Sequence, residues 1–392
     1  MDNVKCRIED GVLTVALSGK IDSGNAPDVE GAVTEAALAP HTSCVIDAEE
    51  LEYVSSAGLR IFLRMKKSSP DLKIVNASSE VYDILDMTGF TEMMTVEKAY
   101  RRLSVEGCEV IGQGANGKVY RLDPETIIKV YLDPDSLPDI QRERDLARRA
   151  FVLGIPTAIP YDVVKVGGGY GSVFELLNAK SIAKLIDADP EGFDGYVEQY
   201  VDLLKKIHST VVKAEDMPSM RDVALRWAND LAPYLPESAG AKLVSLVEAV
   251  PEDLHMMHGD YHVKNVMVQN GEALLIDMDT LCHGHPVFEL ASMFNAYLGF
   301  SEFDHTVSRS FLGISHEAAE AIWDKSLRLY LGTDDEERLA SVADKAMLIG
   351  YTRLARRSIR RGGLDSDKTR AEIEEYKNHI IELTEKLDTL LF

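Results

Sequence analysis

The sequence predicts a small α/β layered domain followed by a larger α+β domain with an antiparallel β lobe and a mainly helical lobe. Three observations carry this expectation. Strand and helix patterns alternate over about the first hundred residues, as in a single α/β layer. A glycine-rich turn between strand-like runs then opens a new pattern just after Ser104–Gly107. Beyond about residue 179 helical periodicity dominates, interrupted by one β-rich stretch from His258 to Asp279. The expected domains are 1–104 and 105–392, the second divided into lobes of about 105–178 and 179–392.

A chain of 392 residues with 45% hydrophobic content is long enough to bury two ordinary cores. Its net charge of −23 argues against a nucleic-acid surface, which needs a concentrated positive field. Binding of an anion must then be local. The cysteines Cys6, Cys44, Cys108 and Cys282 are scattered, with no pair at metal-ligand spacing, and read as thiols of a reducing compartment. With no N-terminal signal and no apolar run near 18 residues, a cytoplasmic protein without a membrane span is expected.

In chain order, Val4–Glu9 and Val12–Ser18 alternate around Asp10-Gly11, the pattern of a hairpin. A helix is expected over 27–39, a buried strand over 43–47, a loop, a helix over 57–67, a strand over 72–75, and a helix capped by Ser78. Ser55-Ser56-Ala57-Gly58 at a helix start places hydroxyls near free backbone N–H groups, a position that stabilises an added phosphate. The segment Asp47–Arg60 resembles the STAS domain of anti-sigma-factor antagonists, over roughly residues 2–103. The resemblance implies an interaction module with a protein partner. Its phospho-acceptor serine, two residues before Gly-Leu, corresponds to Ser56; Ser55 stands where the family's switch members carry Asp, and is the second candidate.

The second domain begins with Gly112-Gln-Gly114-Ala115-Asn116-Gly117-Lys-Val119. A dinucleotide loop with this spacing would open a helix. Here the following run, 118–122, is strand-like, and Thr126–Leu132 returns as a second strand carrying Lys129. Strand, glycine loop, strand, turn and strand-with-lysine together resemble the nucleotide lobe of kinases. On that resemblance Gly112, Gly114, Gly117 and Val119 would line a nucleotide, and Lys129 would pair with its α/β-phosphates. Glu143, on the amphipathic helix 137–152, is the expected ion-pair partner of Lys129, with Asp139 and Asp145 nearby. Two further strands, 159–166 and 170–177, end at a hinge position where backbone groups of Glu175 and Leu177 would meet a purine edge.

In the stretch His258-Gly-Asp260-Tyr-His262-Val-Lys264-Asn265, two β-rich runs flank Asn270-Gly271, a strong hairpin signal. A hairpin there brings Asp260 and Asn265 beside Asp277. Two carboxylates and an amide oxygen at one strand end can hold Mg²⁺ and orient a hydroxyl. An Asp followed five residues later by Asn, with an Asp after the next hairpin, resembles a kinase catalytic loop. Gly259 in place of Arg, and no Phe-Gly after Asp277, match the aminoglycoside phosphotransferase and choline-kinase branch of the protein-kinase-like fold, over roughly 108–300. The resemblance implies Asp260 as catalytic carboxylate, Asn265 and Asp277 as Mg²⁺ ligands, and Asp279 ranked below them. The histidines His258, His262, His283 and His285 invite zinc, which the Asp/Asn series explains less well. His208 is expected to pack, and His258 to support the loop backbone. The basic run Arg353, Arg356, Arg357, Arg360 and Arg361 is expected to pair with acidic helices, an acidic ligand being the other reading. Apolar residues from Ile373 to Leu390 form one helical stripe docked on the domain.

The function expected is transfer of the γ-phosphate of a nucleotide, ATP or GTP, with Mg²⁺, to a hydroxyl of a small molecule. The alternatives are a regulatory kinase acting on a STAS serine, with Ser56 the candidate, and a nucleotide-binding pseudokinase.

Overall fold

The structure is a computed structural model that describes residues 3–114, 117–133 and 135–392. Ala115 and Asn116 of the glycine motif lie outside the described residues. The chain divides into two compact units, Met1–Ser104 and Val105–Phe392. Among the described residues no helix is long and apolar enough to cross a membrane.

In the first unit, β1 (Val4–Glu9), β2 (Val12–Ile21), β3 (Ser43–Val54), β4 (Lys73–Ala77) and β5 (Val96–Lys98) form one sheet in sequence order. The β1–β2 hairpin is antiparallel, and β2 to β5 run parallel. Helices α1 (Ala26–Ala36), α2 (Ser56–Ser68) and α3 (Ser79–Met87) cross between strands, followed by the short α4 (Phe90–Met93) and a two-residue strand, β6 (Arg102–Leu103). The core is apolar: Leu13, Val15, Ile46, Ile74, Phe62 and Leu85 are all buried. Ser78 caps α3 by accepting the Val81 N–H at 3.2 Å. One expectation fails: residues 48–54 are not a loop, since β3 continues through them to Val54. Register shifts against β2 hide this extension, because they move the buried positions to Ala48, Leu51 and Val54 while Glu49, Glu50 and Glu52 face water.

In the second unit, β10 (Pro160–Val166), β11 (Gly169–Glu175), β9 (Thr126–Tyr131), β8 (Gly117–Arg121) and β7 (Val110–Gln113) lie side by side in that order, antiparallel. Helix α5 (Leu137–Val152) buries Ile140, Leu146, Ala147 and Ala150. The helical lobe holds α6 (Ile182–Ala188), α7 (Phe193–His208), α8 (Met220–Leu231), α9 (Glu237–Glu248), α10 (Val287–Tyr297), α11 (Thr306–Phe311), α12 (His316–Leu331), α13 (Glu336–Arg360) and α14 (Asp367–Lys386). It also holds four short strands: β12 (Lys180–Ser181), β13 (Met256–Met257), β14 (Val266–Gln269) and β15 (Glu272–Leu275); a fifth, β16 (Cys282–His283), pairs with β13. Helix α10 is buried on every side and forms the centre of this core. The stripe Ile373, Tyr376, Ile380 and Leu383 docks on the lobe, and Leu387 and Leu390 continue it after α14 ends.

Gly117 is needed inside the sheet. A Cβ there would stand 2.4 Å from the Val130 carbonyl oxygen on the neighbouring strand, whereas one at Gly114 would meet nothing within 4 Å. Gly117→Ala should therefore cost about 1–3 kcal/mol of unfolding free energy and Gly114→Ala much less, measured by denaturant titration.

Candidate active site

The hairpin of β14 and β15 sets the site. Val266 pairs with Leu275 and Gln269 with Glu272, so Asn270 and Gly271 alone make the turn. Both have positive φ, 53° and 83°, as a primed two-residue turn demands. The Ile276 N–H donates to the Asn265 carbonyl at 3.0 Å, which puts Asn265 and Asp277 at the same end of the hairpin. Asn265 Nδ2 donates to the Asp260 carbonyl at 3.1 Å, turning the amide oxygen the other way. Asp260, Asn265 and Asp277 are thus gathered by one turn and two short strands.

Lys129 on β9 joins this end of the hairpin to the β lobe. Its Nζ lies 2.9 Å from Glu143 Oε1 and 2.9 Å from Asp277 Oδ1. Glu143 is buried on the same stripe of α5 as Ile140, Leu146 and Ala147, whereas Asp139 and Asp145 are exposed. Burial works against the Lys129 charge, but Glu143 and Asp277 outweigh it and hold the ammonium above its ordinary range. The Tyr131 hydroxyl, unremarked in the sequence, also donates to Glu143, and burial with that carboxylate raises its pKa.

Burial raises the Asp260 carboxyl, but His262, Arg353 and His258 more than offset this and bring it to about 2. His262 Nε2 lies 3.6 Å from Asp260 Oδ2. Asp260 is therefore an ionised acceptor at neutral pH, suited to orienting a hydroxyl more than to removing its proton early. Asp279 behaves oppositely. Burial, then Asp277 and Glu143, push it up to about 7. Negative charge is thus in excess around Asp277, and oxygen donors of this kind suit a hard divalent cation. Among the described residues no three His, Cys, Asp or Glu side chains converge as a cage. A cation shared with phosphate oxygens needs only one or two protein ligands, and Asn265 with Asp277 can supply them.

The other sequence candidates fall in distinct places. His258 Nε2 lies 3.2 Å from the Ile276 carbonyl, and His283 Nδ1 2.8 Å from the Asp253 carbonyl, so both rings serve the backbone. His208 packs on Tyr330, 2.7 Å from its hydroxyl. His285 stands edge-on to Phe392. Gly112 and Val119 face each other across β7 and β8, and Gly114 follows at the end of β7. Strand β11 stops at Glu175, short of the expected 177. The N–H groups of Glu175 and Leu176 donate to the Ile159 and Glu125 carbonyls, which leaves Leu177 beyond the ladder. In the first unit Ser56 is exposed at the first turn of α2, whereas the Ser55 Oγ is buried without a hydrogen-bond partner.

Sequence reasoning missed the group that holds the loop carrying Asp260. Glu289 on α10 is fully buried and accepts from the His258 N–H at 2.5 Å and the Gly259 N–H at 3.0 Å. A lone charged residue in the run from Val287 to Phe294, where the only other polar side chain is Ser292, was the available signal. Gly259 itself has φ 81°, and a Cβ there would stand 2.4 Å from the Thr280 carbonyl oxygen. No side chain fits, which accounts for glycine where the kinase pattern has Arg. Tyr261 and Tyr200 exchange hydroxyl-to-carbonyl hydrogen bonds, and the Val263 N–H donates to the Tyr297 hydroxyl at 3.1 Å.

Replacing Glu289 leaves two buried N–H donors unpaired. Glu289→Ala should cost about 3–5 kcal/mol in denaturant unfolding and Glu289→Gln clearly less.

Comparison with known proteins agrees with this fold. Residues 107–325 match the model of the phosphotransferase enzyme family, and residues 3–103 match the STAS domain. Over 91 residues the chain is 28% identical to BtrV of Bordetella bronchiseptica, a candidate anti-sigma factor antagonist; the match covers 22% of this chain and 78% of that protein. A thermostable mutant of aminoglycoside phosphotransferase APH(4)-Ia, in ternary complex with ADP and hygromycin B, is 13% identical with a TM-score of 0.50, over 72% of this chain and 94% of that one. A choline/ethanolamine kinase family protein from Mesorhizobium loti is 14% identical with a TM-score of 0.46, over 71% and 88%. The chain belongs to the phosphotransferase enzyme family and carries a STAS domain ahead of its kinase-like fold.

Proposed function

We propose that the second unit transfers the γ-phosphate of a nucleotide, ATP or alternatively GTP, to a hydroxyl of a small molecule with Mg²⁺, and that the STAS domain is an interaction or regulatory module. The observation that carries this reading is the position of Lys129, 2.9 Å from both Glu143 and Asp277. One cation, placed between a buried glutamate and the carboxylate after the hairpin, stands where α/β-phosphates and a metal would meet. The APH(4)-Ia relative bound ADP, which favours a nucleotide here.

In this reading Gly112, Gly114, Gly117 and Val119 flank the phosphates, and the backbone at Glu175 and Leu177 takes the base edge. Asn265 and Asp277 hold Mg²⁺, which neutralises charge on the phosphate oxygens. Asp260 orients the acceptor hydroxyl and receives its proton late. Its low proton affinity fits a loose transition state, in which the hydroxyl loses its proton only as the new P–O bond forms. Glu143 keeps Lys129 pointed into the site, and Glu289 keeps the loop of Asp260 in place.

A second reading has one supporting observation, the exposure of Ser56 at the start of α2. There a STAS serine, on this chain or another, is the acceptor.

Incubation with Mg²⁺, ATP and a panel of hydroxyl compounds separates them. Transfer to a small compound, reduced by roughly 10²–10⁴-fold in Asp260→Asn, is the expected result. Label on Ser56 and on no small compound moves the function to the second reading. Equal nucleotide binding by wild type and Asp277→Asn, with no turnover by either, indicates a pseudokinase. Lys129→Met should weaken nucleotide binding by about tenfold or more in a protein that stays folded at lower stability, as read by calorimetric titration, circular dichroism and denaturant titration.

A further inference from the structure

Arg353, Arg357 and Arg360 lie on α13 at helical spacings of four and three and so share one side of it. Arg356, between them, points elsewhere and is paired with Asp230 at 2.6 Å. Arg353 and Arg357 are different. The Arg353 guanidinium donates to the Ser292 Oγ at 3.2 Å and lies 5.5 Å from the Trp227 ring, and Arg357 lies 5.3 Å from the Phe300 ring. Neither has a carboxylate within 4.0 Å among the described residues. In a chain of 65 acidic residues, these two guanidinium groups form no ion pair of their own and act on the Asp260 carboxylate only at a distance, which leaves their donors open to a further anion.

Phe300 meets Phe311 at 5.5 Å, Phe311 meets His262 at 5.2 Å, and His262 reaches Asp260 at 3.6 Å. Lys264 completes the wall, its Nζ on the Phe311 carbonyl at 2.7 Å, again with no carboxylate partner among the described residues. A chain of contacts therefore runs from Asp260 through the buried His262 to the half-buried rings of Phe311 and Phe300, with the Lys264 ammonium beside Phe311 and the Arg357 guanidinium beside Phe300. The Ser292 hydroxyl that receives Arg353 donates in turn to the Gly259 carbonyl at 2.9 Å, tying the Arg353 side to the catalytic loop.

Resting on the phosphotransferase reading, we propose that the acceptor is an anion: a small hydroxyl compound that carries a carboxylate or phosphate group. The anionic group would sit against Arg357, Arg353 and Lys264, and its carbon skeleton against Phe300 and Phe311. That placement leaves a hydroxyl facing Asp260. Protonated amines such as those of aminoglycosides would meet like charge on this side, an arrangement that costs affinity. A guanidinium pair also suits planar or tetrahedral oxyanions better than one lysine does.

The test is calorimetric titration of the full chain with gluconate, glucose 6-phosphate, glucose and glucosamine, in the presence of Mg²⁺ and ADP. It requires no turnover, so its failure is separate from failure of phosphate transfer. Expected is binding of at least one of the two acids, at least about tenfold tighter than glucose or glucosamine, with gluconate and glucose 6-phosphate distinguishing carboxylate from phosphate. Arg357→Glu should abolish that preference, and the exposed position of Arg357 makes misfolding an unsuitable explanation, checked by circular dichroism. The proposal is overturned if neither acid binds, if glucosamine binds as well as the acids, or if Arg357→Glu leaves the order unchanged. Transfer of phosphate to Ser56 in preference to every small compound also overturns it.

Discussion

The β-lobe side of the candidate site depends on where the Lys129 ammonium is held. It sits between a buried glutamate from α5 and a half-exposed aspartate from the loop after β15. Burial works against the charge of such a lysine, and the two carboxylates more than offset it. The arrangement is reciprocal. A buried Glu143 without Lys129 would be an isolated carboxylate with only the Tyr131 hydroxyl as partner, and such charges cost several kcal/mol. The β lobe and the loop after β15 are therefore registered to each other by one cation.

The Asp260 loop is registered by the opposite means, a buried anion. Glu289 rises from a helix buried on all sides and collects the N–H groups of His258 and Gly259. The same stretch of α10 offers the Ser292 hydroxyl to the Gly259 carbonyl. The N–H groups of His258 and Gly259 and the Gly259 carbonyl are thus satisfied by side chains of a buried helix. The positive φ of Gly259 follows from that path, because its backbone runs against the Thr280 carbonyl with no space for a side chain.

Much of this was legible in the sequence because it rested on local chemistry. Asn270-Gly271 specifies a two-residue turn, and that turn alone places Asn265 beside Asp277. Glu143 was separable from Asp139 and Asp145 by helical phase, since only Glu143 continues the stripe of Ile140 and Leu146. What stayed hidden was long-range or masked. Tyr131 and Glu289 read as ordinary residues until the fold brings Glu143 and Gly259 to them. The extension of β3 was concealed by acidic side chains and a shift of register. The basic run on α13 read as a surface to be neutralised, and among the described residues only Arg356 of that run forms an ion pair. Ion pairing across helices leaves no periodic trace in one sequence, so neither its presence nor its absence could be read there.

The central claim is that Lys129, Glu143 and Asp277 act as one unit in positioning nucleotide phosphates. A double-mutant cycle on Mg²⁺–ATP binding, with Lys129→Met, Glu143→Gln and the pair, tests it most directly. The account predicts strong non-additivity: once Lys129 is gone, losing the Glu143 charge should cost little further affinity, a coupling of about 1–3 kcal/mol. Additive losses, or unchanged binding in Lys129→Met, would contradict it.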